Sequence, residues 1–452
     1  MPRLFGTDGV RGLAGRDISA TLAMSLAAAA ARELTAEHNV QSGPEGPHLR
    51  AVVGVDSRVS GDMLAGACAA GLASAGFDVL LTGIIPTPGL AYLTRTGDYD
   101  LGVMISASHN PFPDNGIKFF AGTGHKLPDQ VEDLIEARLA EAWEPATGAD
   151  IGQTRTDPLC DQVYVDSLVA SAPVKLDGLK VALDCANGAS YRTAPQAFSR
   201  LGAEVVPLAC QPNGVNINDG VGSTHPEMLQ RAVTENGADL GFGFDGDADR
   251  CLAVDALGHL VDGDQIMGIL ATSLKAQGQL AGDTLVLTVM SNLGLLKAMA
   301  AAGINTVATA VGDRYVLEEM LRGGYVLGGE QSGHVIMTQH STTGDGVLTA
   351  VQLACQVKRS GQSLAQLASV IKAFPQVLIN VPRVDKSKVD SDPEVLAAVE
   401  RCQAQLGDSG RVVLRPSGTE PLVRVMVEAS TDEQAQAAAQ QLATTVAQRL
   451  GF

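Results

Sequence analysis

Aromatic residues are scarce. They make up 4% of the 452 residues, with one Trp, so any large interior must rest on Ala, Val, Leu and Ile. Basic charge is short as well: Lys and Arg number 32 against 50 Asp and Glu, for a formal net charge of −18. Such a chain repels nucleic acid and anionic lipid unless a local basic patch intervenes. No run of Lys and Arg supplies one, so neither a nucleic-acid nor a membrane partner is expected. If the substrate is an anion, single Arg and Lys residues must converge on it from Gly-rich or Ser-rich loops. The seven cysteines, at 68, 160, 185, 210, 251, 355 and 402, are odd in number and include no C-x-x-C pair. They read as small buried hydrophobes in a reducing compartment, not as a disulfide framework or a zinc site. Long apolar runs are missing too. Leu22–Ala31 is short, interrupted by Ser25 and followed by Arg32 and Glu33, which suits a soluble helix better than a membrane span. Met1–Gly6 offers no charged segment leading into an apolar core, so the expected location is cytoplasmic. Finally, there is no G-x-x-x-x-G-K, no G-x-S-x-G and no H-E-x-x-H. These absences exclude P-loop NTPases, α/β-hydrolases and zincins.

What is present is 45% apolar and 18% charged, enough to bury sizeable cores. At roughly 100–200 residues per domain the length suggests about three or four domains. A β-branched run, a turn and a helical stretch recur along the chain. Ala51–Asp56, Phe77–Leu81, Leu179–Asp184, Glu204–Leu208, Thr284–Thr288 and Thr306–Ala310 read as strands; Leu64–Ala75 and Leu293–Ala302 read as helices. This alternation predicts α/β layers with mostly parallel strands. Arg411–Arg415 and Leu422–Ala429 read as strands around a turn, closed by a helix over Thr431–Leu450, and fit a smaller α+β domain. Trp143–Thr156 reads as a linker, with further breaks near Asp255–Gly258 and Phe374–Pro375, and Gln41–His48 as an exposed loop. The expected domains are 1–153, 154–256, 257–372 and 373–452. The expected fold is three similar α/β domains with mixed, mostly parallel sheets plus a C-terminal α+β domain.

Four loops carry chemistry. Ser106-Ala107-Ser108-His109-Asn110-Pro111 follows the apolar run Leu101–Ile105, at the strand end where open α/β sheets place ligands. Ser108 there is either a covalent phosphate carrier, helped by a base or metal, or a residue capping a turn. Asp245-Gly246-Asp247-Ala248-Asp249-Arg250 follows Leu240–Phe244. Three carboxylates two residues apart repel one another, and a Gly-containing loop lets them converge on a hard divalent cation; a solvated acidic turn is the alternative. An EF-hand is excluded, because Arg250 and Ala256 stand where Gly and Glu are required. Open coordination positions favour Mg²⁺. The overlapping Gly241–Gly246 matches G-x-G-x-x-G, but strand-like Cys251–Val254 follows where a dinucleotide fingerprint needs a helix. Gly328-Gly329-Glu330-Gln331-Ser332-Gly333-His334 offers Glu330 and Ser332 to sugar hydroxyls and His334 to proton transfer, or is a polar loop with a satisfied histidine. Arg415-Pro416-Ser417-Gly418-Thr419-Glu420-Pro421 is a phosphate cradle or an ordinary hairpin turn. Arg11, in the Gly-rich loop Phe5–Gly12, and Lys118, inside the apolar run Gly116–Phe120, are the isolated basic residues that the charge argument asks for.

Taken together, in this order and spacing, the loops resemble the α-D-phosphohexomutase superfamily over essentially the whole chain. The resemblance implies that Ser108 is the phosphate carrier and that Asp245, Asp247 and Asp249, with phospho-Ser108, bind one Mg²⁺ per subunit. It implies that Arg250 stands beside the reacting phosphate, that Arg11 is catalytic, and that Lys118 and His334 are the candidate acid/base groups. His109, Asn110, Asp313, Arg314, Glu330, Ser332, Arg415, Ser417, Gly418 and Thr419 are then substrate-binding. Phe5–Gly12, Val311–Tyr315 and Gly329–His334 are most similar to bacterial members acting on glucosamine phosphates. The implied reaction interconverts glucosamine 6-phosphate and glucosamine 1-phosphate through glucosamine 1,6-bisphosphate, for cell-wall precursor synthesis, in a central cleft formed by all four domains. The partner is a small sugar phosphate, and a homodimer is implied by resemblance. Alternatives are a member acting on glucose or mannose phosphates and a phosphoserine-dependent sugar phosphatase.

Overall fold

The computed structural model describes residues 3–6, 8–37, 48–417 and 422–452, so the expected loop Gln41–His48 lies outside the described residues except for His48. The first sheet contains β1 (Val10–Leu13), β2 (Arg50–Val55), β3 (Asp78–Ile84), β4 (Leu101–Ile105), β5 (Asp114–Ala121) and β6 (Thr154–Thr156), in the order β1-β5-β4-β2-β3-β6. The second contains β7 (Lys180–Asp184), β8 (Glu204–Leu208), β9 (Leu240–Phe244), β10 (Cys251–Asp255) and β11 (Leu260–Val261), in the order β11-β10-β9-β7-β8. The third contains β12 (Thr284–Thr288), β13 (Asn305–Thr309), β14 (Leu327–Gly329) and β15 (Val335–Met337), in the order β13-β12-β14-β15.

One topology is used three times. β5-β4-β2-β3, β10-β9-β7-β8 and β15-β14-β12-β13 have the same order. In each, β4, β9 or β14 runs parallel to the strand beside it, and the chain then turns straight back into an antiparallel neighbour. The composition suits this. β4 (LGVMI) and β9 (LGFGF) are buried along their whole length, as continuous apolar runs covered on both faces should be. The fourth sheet, β16 (Gln376–Pro382), β17 (Arg411–Pro416) and β18 (Leu422–Glu428), is antiparallel in the order β16-β18-β17. The helices Pro393–Leu406 and Asp432–Leu450 supply apolar side chains to its core, and Thr431 caps the second by accepting from the Gln434 N–H. The expected α/β class, with a smaller α+β unit at the C-terminus, is what the chain adopts.

Two details differ from the sequence reading. Thr154–Thr156, read as the end of a linker, pairs in parallel with Val79–Leu81 of β3. An open sheet edge offers unpaired N–H and C=O groups, and this short polar segment occupies them. The expected boundary at 153/154 therefore falls just ahead of a strand of the first sheet. Leu260–Val261 returns in a hairpin to Ala253–Val254 of β10, so the expected boundary at 256/257 falls inside that hairpin.

With few aromatics, packing relies on close backbone approach. A Cβ on Gly71, in helix Gly61–Ser74, would come within 2.2 Å of the Met24 carbonyl oxygen in helix Ala20–Glu37. The third and fourth units meet at a polar seam. Buried Glu428 Oε2 accepts from the Leu293 N–H (3.0 Å) and from Arg411 Nε (2.6 Å), while Arg411 Nη2 donates to the Ser291 carbonyl. Asn292 exchanges hydrogen bonds with the Phe374 backbone (2.8 and 3.0 Å) and donates its own N–H to Asp264 Oδ2 (2.6 Å). Burial, with Asp262 and Glu428 nearby, pushes Asp264 up to about 7 despite the bond from Asn292.

Two outcomes are expected. Gly71→Val should destabilise the first unit by about 1–3 kcal/mol through helix separation; an unchanged urea midpoint would show that the helices part freely. Asp264 holds its proton more tightly folded than unfolded, where carboxyls titrate near about 4. Its contribution to stability is therefore intact below that value and is lost as pH rises to about 7. The melting temperature of Asp264→Asn relative to wild type should rise across that window and level off above it. A constant difference across the window would remove the basis for the shift.

Candidate active site

The loop after β4 is set by a buried ion pair that precedes it in sequence. Asp56 and Arg58, whose side chains are wholly shielded, pair at 2.8 Å. Arg58 then donates to the carbonyls of Ser108 (2.8 Å), Asn110 (2.8 Å), Pro111 (2.5 Å) and Asp114 (3.0 Å). Asp56 accepts from Ser106 Oγ (2.7 Å), which accepts in turn from the Ser108 N–H (2.9 Å). Asn218 Nδ2 adds a bond to the Ser108 carbonyl (2.9 Å). These contacts hold Ser108 at φ +52°, a strained value for a residue with a side chain. The outcome is positional: buried Ser108 Oγ donates to Asp245 Oδ2 at 2.6 Å, with His109 Nδ1 3.3 Å away.

The turn after β9 carries the acidic groups. Asp245, Asp247 and Asp249 are buried, and one carboxylate oxygen from each lies within 4.8 Å of the other two. Gly246 is required between them, because a Cβ there would lie 2.5 Å from the Ser108 carbonyl oxygen. Burial and repulsion from Asp249 and Asp247 push Asp245 well above the usual carboxylate range. Asp247 Oδ1 and Asp249 Oδ1 are buried without a hydrogen-bond partner. Unpartnered buried carboxylate oxygens are costly, and an all-oxygen set at this spacing fits a hard divalent cation. This group can hold a metal.

Basic residues close around the triad. Lys118 Nζ, on β5 and buried, lies 2.9 Å from Asp247 Oδ2 and 3.0 Å from Asp8 Oδ2. Lys126 bridges Asp8 (2.5 Å) and Asp313 (2.7 Å), and Arg11 pairs with Asp8. Burial opposes charge on Lys118, but Asp247 and Asp8 raise its pKa all the same. Burial likewise opposes the charged form of His334, and Asp249 and Asp313, at 3.6 and 3.7 Å, overcome it. The Gly344 N–H donates to His334 Nε2 (3.1 Å), which in the neutral ring leaves the proton on Nδ1, facing Asp249. Arg250 donates its backbone N–H to Asp245 (3.2 Å), and its buried Nε, like that of Arg11, has no hydrogen-bond partner.

The remaining expected residues divide. Glu330 Oε1 accepts from the Gly312 N–H (3.0 Å), joining the loop after β14 to the start of helix Asp313–Gly323, and Ser332 is exposed beside it. Gln331 donates to Asp262 Oδ2 (3.2 Å), so it shapes that loop from outside. Arg314 pairs with Asp129 and Glu132 of the first unit, away from the triad. Asn110 Nδ2 donates to Asp114 (3.0 Å). Arg415 sits directly opposite Arg424 on the antiparallel pair β17–β18. Burial and Arg424 lower the Arg415 pKa. Like charges facing across strands are unfavourable, and an anion between them removes the penalty. Ser417 is buried at the end of β17, while Gly418 and Thr419 lie outside the described residues.

Sequence reading missed Asp56, Arg58, Thr87, Lys126, Asn218 and Arg424. Arg58 was findable, being a lone Arg just past an apolar run in a Ser-containing turn, the kind of loop-borne basic residue that singled out Arg11. Thr87, which donates to Asp247 Oδ2 (2.7 Å), and Asn218 carry no local signal, because they reach the site from other units.

Four family models of phosphoglucomutase/phosphomannomutase match the chain in succession: α/β/α domain I over residues 2–145, domain II over 162–258, domain III over 262–374 and the C-terminal domain over 378–445. The phosphoglucosamine mutase of Acidothermus cellulolyticus is 56% identical over 451 residues, covering 100% of this chain and 97% of its own. Among solved structures, a phosphoglucomutase/phosphomannomutase family protein from Burkholderia thailandensis superposes with a TM-score of 0.81 at 24% identity, over 100% of this chain and 99% of that one. The Aspergillus fumigatus N-acetylphosphoglucosamine mutase, solved in complex with GlcNAc-6P and magnesium, superposes with a TM-score of 0.68 at 18% identity, over 98% and 95%. With all four units matched in order and a relative aligned end to end, this chain belongs to the phosphoglucomutase/phosphomannomutase family.

Proposed function

We propose that the protein interconverts glucosamine 6-phosphate and glucosamine 1-phosphate, with Ser108 carrying the phosphoryl group and glucosamine 1,6-bisphosphate formed between the two half-reactions. The observation that carries the chemistry is the Ser108 hydroxyl aimed at Asp245 inside a buried carboxylate triad. The amino sugar is favoured by the full-length 56% identity to a phosphoglucosamine mutase. Asp245, Asp247 and Asp249, with phospho-Ser108, would hold one Mg²⁺ per subunit, which would supply Lewis-acid neutralisation of phosphoryl charge.

In the first half-reaction the substrate C1 hydroxyl attacks the phosphorus on Ser108. The bond to Oγ breaks, and Oγ takes up a proton. Lys118, held cationic between Asp247 and Asp8, and Arg250 and Arg11, whose Nε groups lack partners, offset charge on the transferring group. His334, between Asp249 and Asp313, is the acid/base group facing the sugar. Glu330 and Ser332 bind sugar hydroxyls, with His109, Asn110, Asp313 and Arg314 lining or bracing the same cleft. The bisphosphate then turns over and its other phosphate returns to Ser108. The distal phosphate is gripped by Arg415 with Arg424, Ser417, Gly418 and Thr419. The reading includes a cytoplasmic location, a homodimer, and no nucleic-acid partner, in keeping with the −18 charge.

The deciding assay compares glucosamine, glucose and mannose 6-phosphates on protein with Mg²⁺ and a trace of sugar bisphosphate. A large preference for the glucosamine substrate is expected. A preference for another hexose keeps the chemistry and moves the substrate, and phosphate release without isomerisation replaces the mutase with a phosphatase. Ser108→Ala should lose turnover by several orders of magnitude, on the scale of removing a nucleophile, with an unchanged circular-dichroism spectrum. Turnover near wild type from a homogeneous preparation would refute the carrier role. Arg415→Ala should raise KM about 10- to 100-fold, the scale of one charge-assisted hydrogen bond, with a smaller effect on kcat. Unchanged constants would remove the cradle.

A further inference from the structure

The acidic turn after β9 is held through its backbone from three sides. Three successive carbonyls accept from three different units: Gly246 from the Ala189 N–H of the second unit (2.8 Å), Asp247 from the Thr87 N–H of the first (2.9 Å) and Ala248 from the Gly346 N–H of the third (3.0 Å). Ala189 and Gly346 have no polar side chain to add to this. Thr87 has one. Its hydroxyl donates to Asp247 Oδ2 at 2.7 Å, so a single residue grips both the backbone and the carboxylate of the same aspartate.

Thr87 is fixed where it stands. It opens helix Thr87–Thr96, directly after Pro86, where the first N–H groups have no partner within the helix. One of those N–H groups goes to the Asp247 carbonyl instead of to water, and the residue is fully buried. The first turn of the helix is close-packed against the second unit: a Cβ on Gly89 would lie 3.1 Å from the Tyr164 ring, whose hydroxyl donates to Asp345 Oδ1 (2.8 Å). Branching at Cβ further restricts the Thr87 side-chain rotamer.

The two oxygens of Asp247 are consequently unlike. Oδ2 has two donors, Thr87 and Lys118 Nζ (2.9 Å), while Oδ1 is buried with none. Lys118 has a second task at the transferring phosphoryl group; Thr87 has no such task, so it is the donor that keeps Oδ2 occupied throughout. We propose that Thr87 is a positioning residue of the metal site: its hydroxyl holds Asp247 Oδ2 and leaves Oδ1 as the oxygen offered to a divalent cation. This rests on the reading of the aspartate triad as a metal site. Thr87 and Asp247 belong to different units, so the site is complete only when the first and second units are docked. Removing the partner that orients a ligating side chain typically weakens metal binding about 10- to 100-fold.

The test measures Mn²⁺ binding to the full, unphosphorylated chain by electron paramagnetic resonance, in which bound Mn²⁺ leaves the free-ion signal, so neither substrate nor turnover enters. Thr87→Val keeps the shape, removes the hydroxyl and should weaken binding about 10- to 100-fold. Thr87→Ala, which has no bulk to misfit at the start of the helix, should do the same. Thr87→Ser keeps the hydroxyl and should bind close to wild type. The Mg²⁺ concentration for half-maximal turnover should follow the same order. Wild-type protein that binds no Mn²⁺ overturns the metal reading itself, and this proposal with it. Wild-type binding matched by Thr87→Val and Thr87→Ala overturns the proposal alone. Equal weakening in Thr87→Ser overturns it too, because the packing of the methyl group and not the hydroxyl would then hold Asp247.

Discussion

Mutual repulsion within the buried acidic turn is the constraint that organises the site. Three carboxylates that each bring one oxygen within 4.8 Å of the others, taken out of water, cannot remain charged without compensation. Each neighbour answers part of that demand. Lys118 and Thr87 take one oxygen of Asp247, Ser108 and the Arg250 backbone take Asp245, and His334 faces Asp249. Two oxygens are left over, and that remainder is what suits the triad to a cation. Asp8, Lys126 and Asp313 form an outer circuit of charge around Lys118 and His334. A chain of net charge −18 thus balances charge locally by gathering a few isolated basic residues against its own carboxylates.

The repeated topology explains why these groups meet. In each of the three α/β sheets the functional loop joins a buried parallel strand to an antiparallel neighbour: β4 to β5, β9 to β10 and β14 to β15. A turn at that point leaves the sheet at the strand's carboxyl end, with no helix in the way. Facing the three turns toward one another produces a common cleft, and each sheet supplies a different chemistry: hydroxyl, acid and imidazole. The fourth sheet contributes Arg415 and Arg424 from a hairpin of its own. Its seam with the third unit is polar, built on Glu428, Arg411 and Asn292, whereas the core of the second and third units is continuous and apolar.

The strain at Ser108 has a traceable source. Its left-handed backbone is held by Arg58, which satisfies four carbonyls of the following loop at once, and Arg58 is held in turn by Asp56. Asn218, from the second unit, clamps the same carbonyl as Arg58, and Gly246 leaves room for it. The serine and acidic loops are therefore positioned by one another as well as by their own sheets.

The amino-acid sequence alone determined the local features. Periodicity and burial of apolar runs fix which segments are strands, and three Asp residues at alternate positions beside Gly246 show by their spacing alone that they could hold a metal. Ser108 and Lys118 are conspicuous because a polar residue stands against an apolar strand, and that contrast is visible along the chain. Contacts between distant segments leave no such trace. Thr87 meets Asp247, Lys126 meets Asp313 and Asn218 meets Ser108 across 110 to 187 positions, and nothing near any of these residues announces its partner. Thr154–Thr156 reads as linker because its composition is polar; only the open edge of β3 makes it a strand. Arg314 shows the converse. Its sequence neighbourhood points to a ligand, and its ion pairs with Asp129 and Glu132 of the first unit leave no trace there. Secondary structure and ligand chemistry follow from short-range sterics and residue type. Charge compensation is a long-range property, and it was decided only when the units packed together.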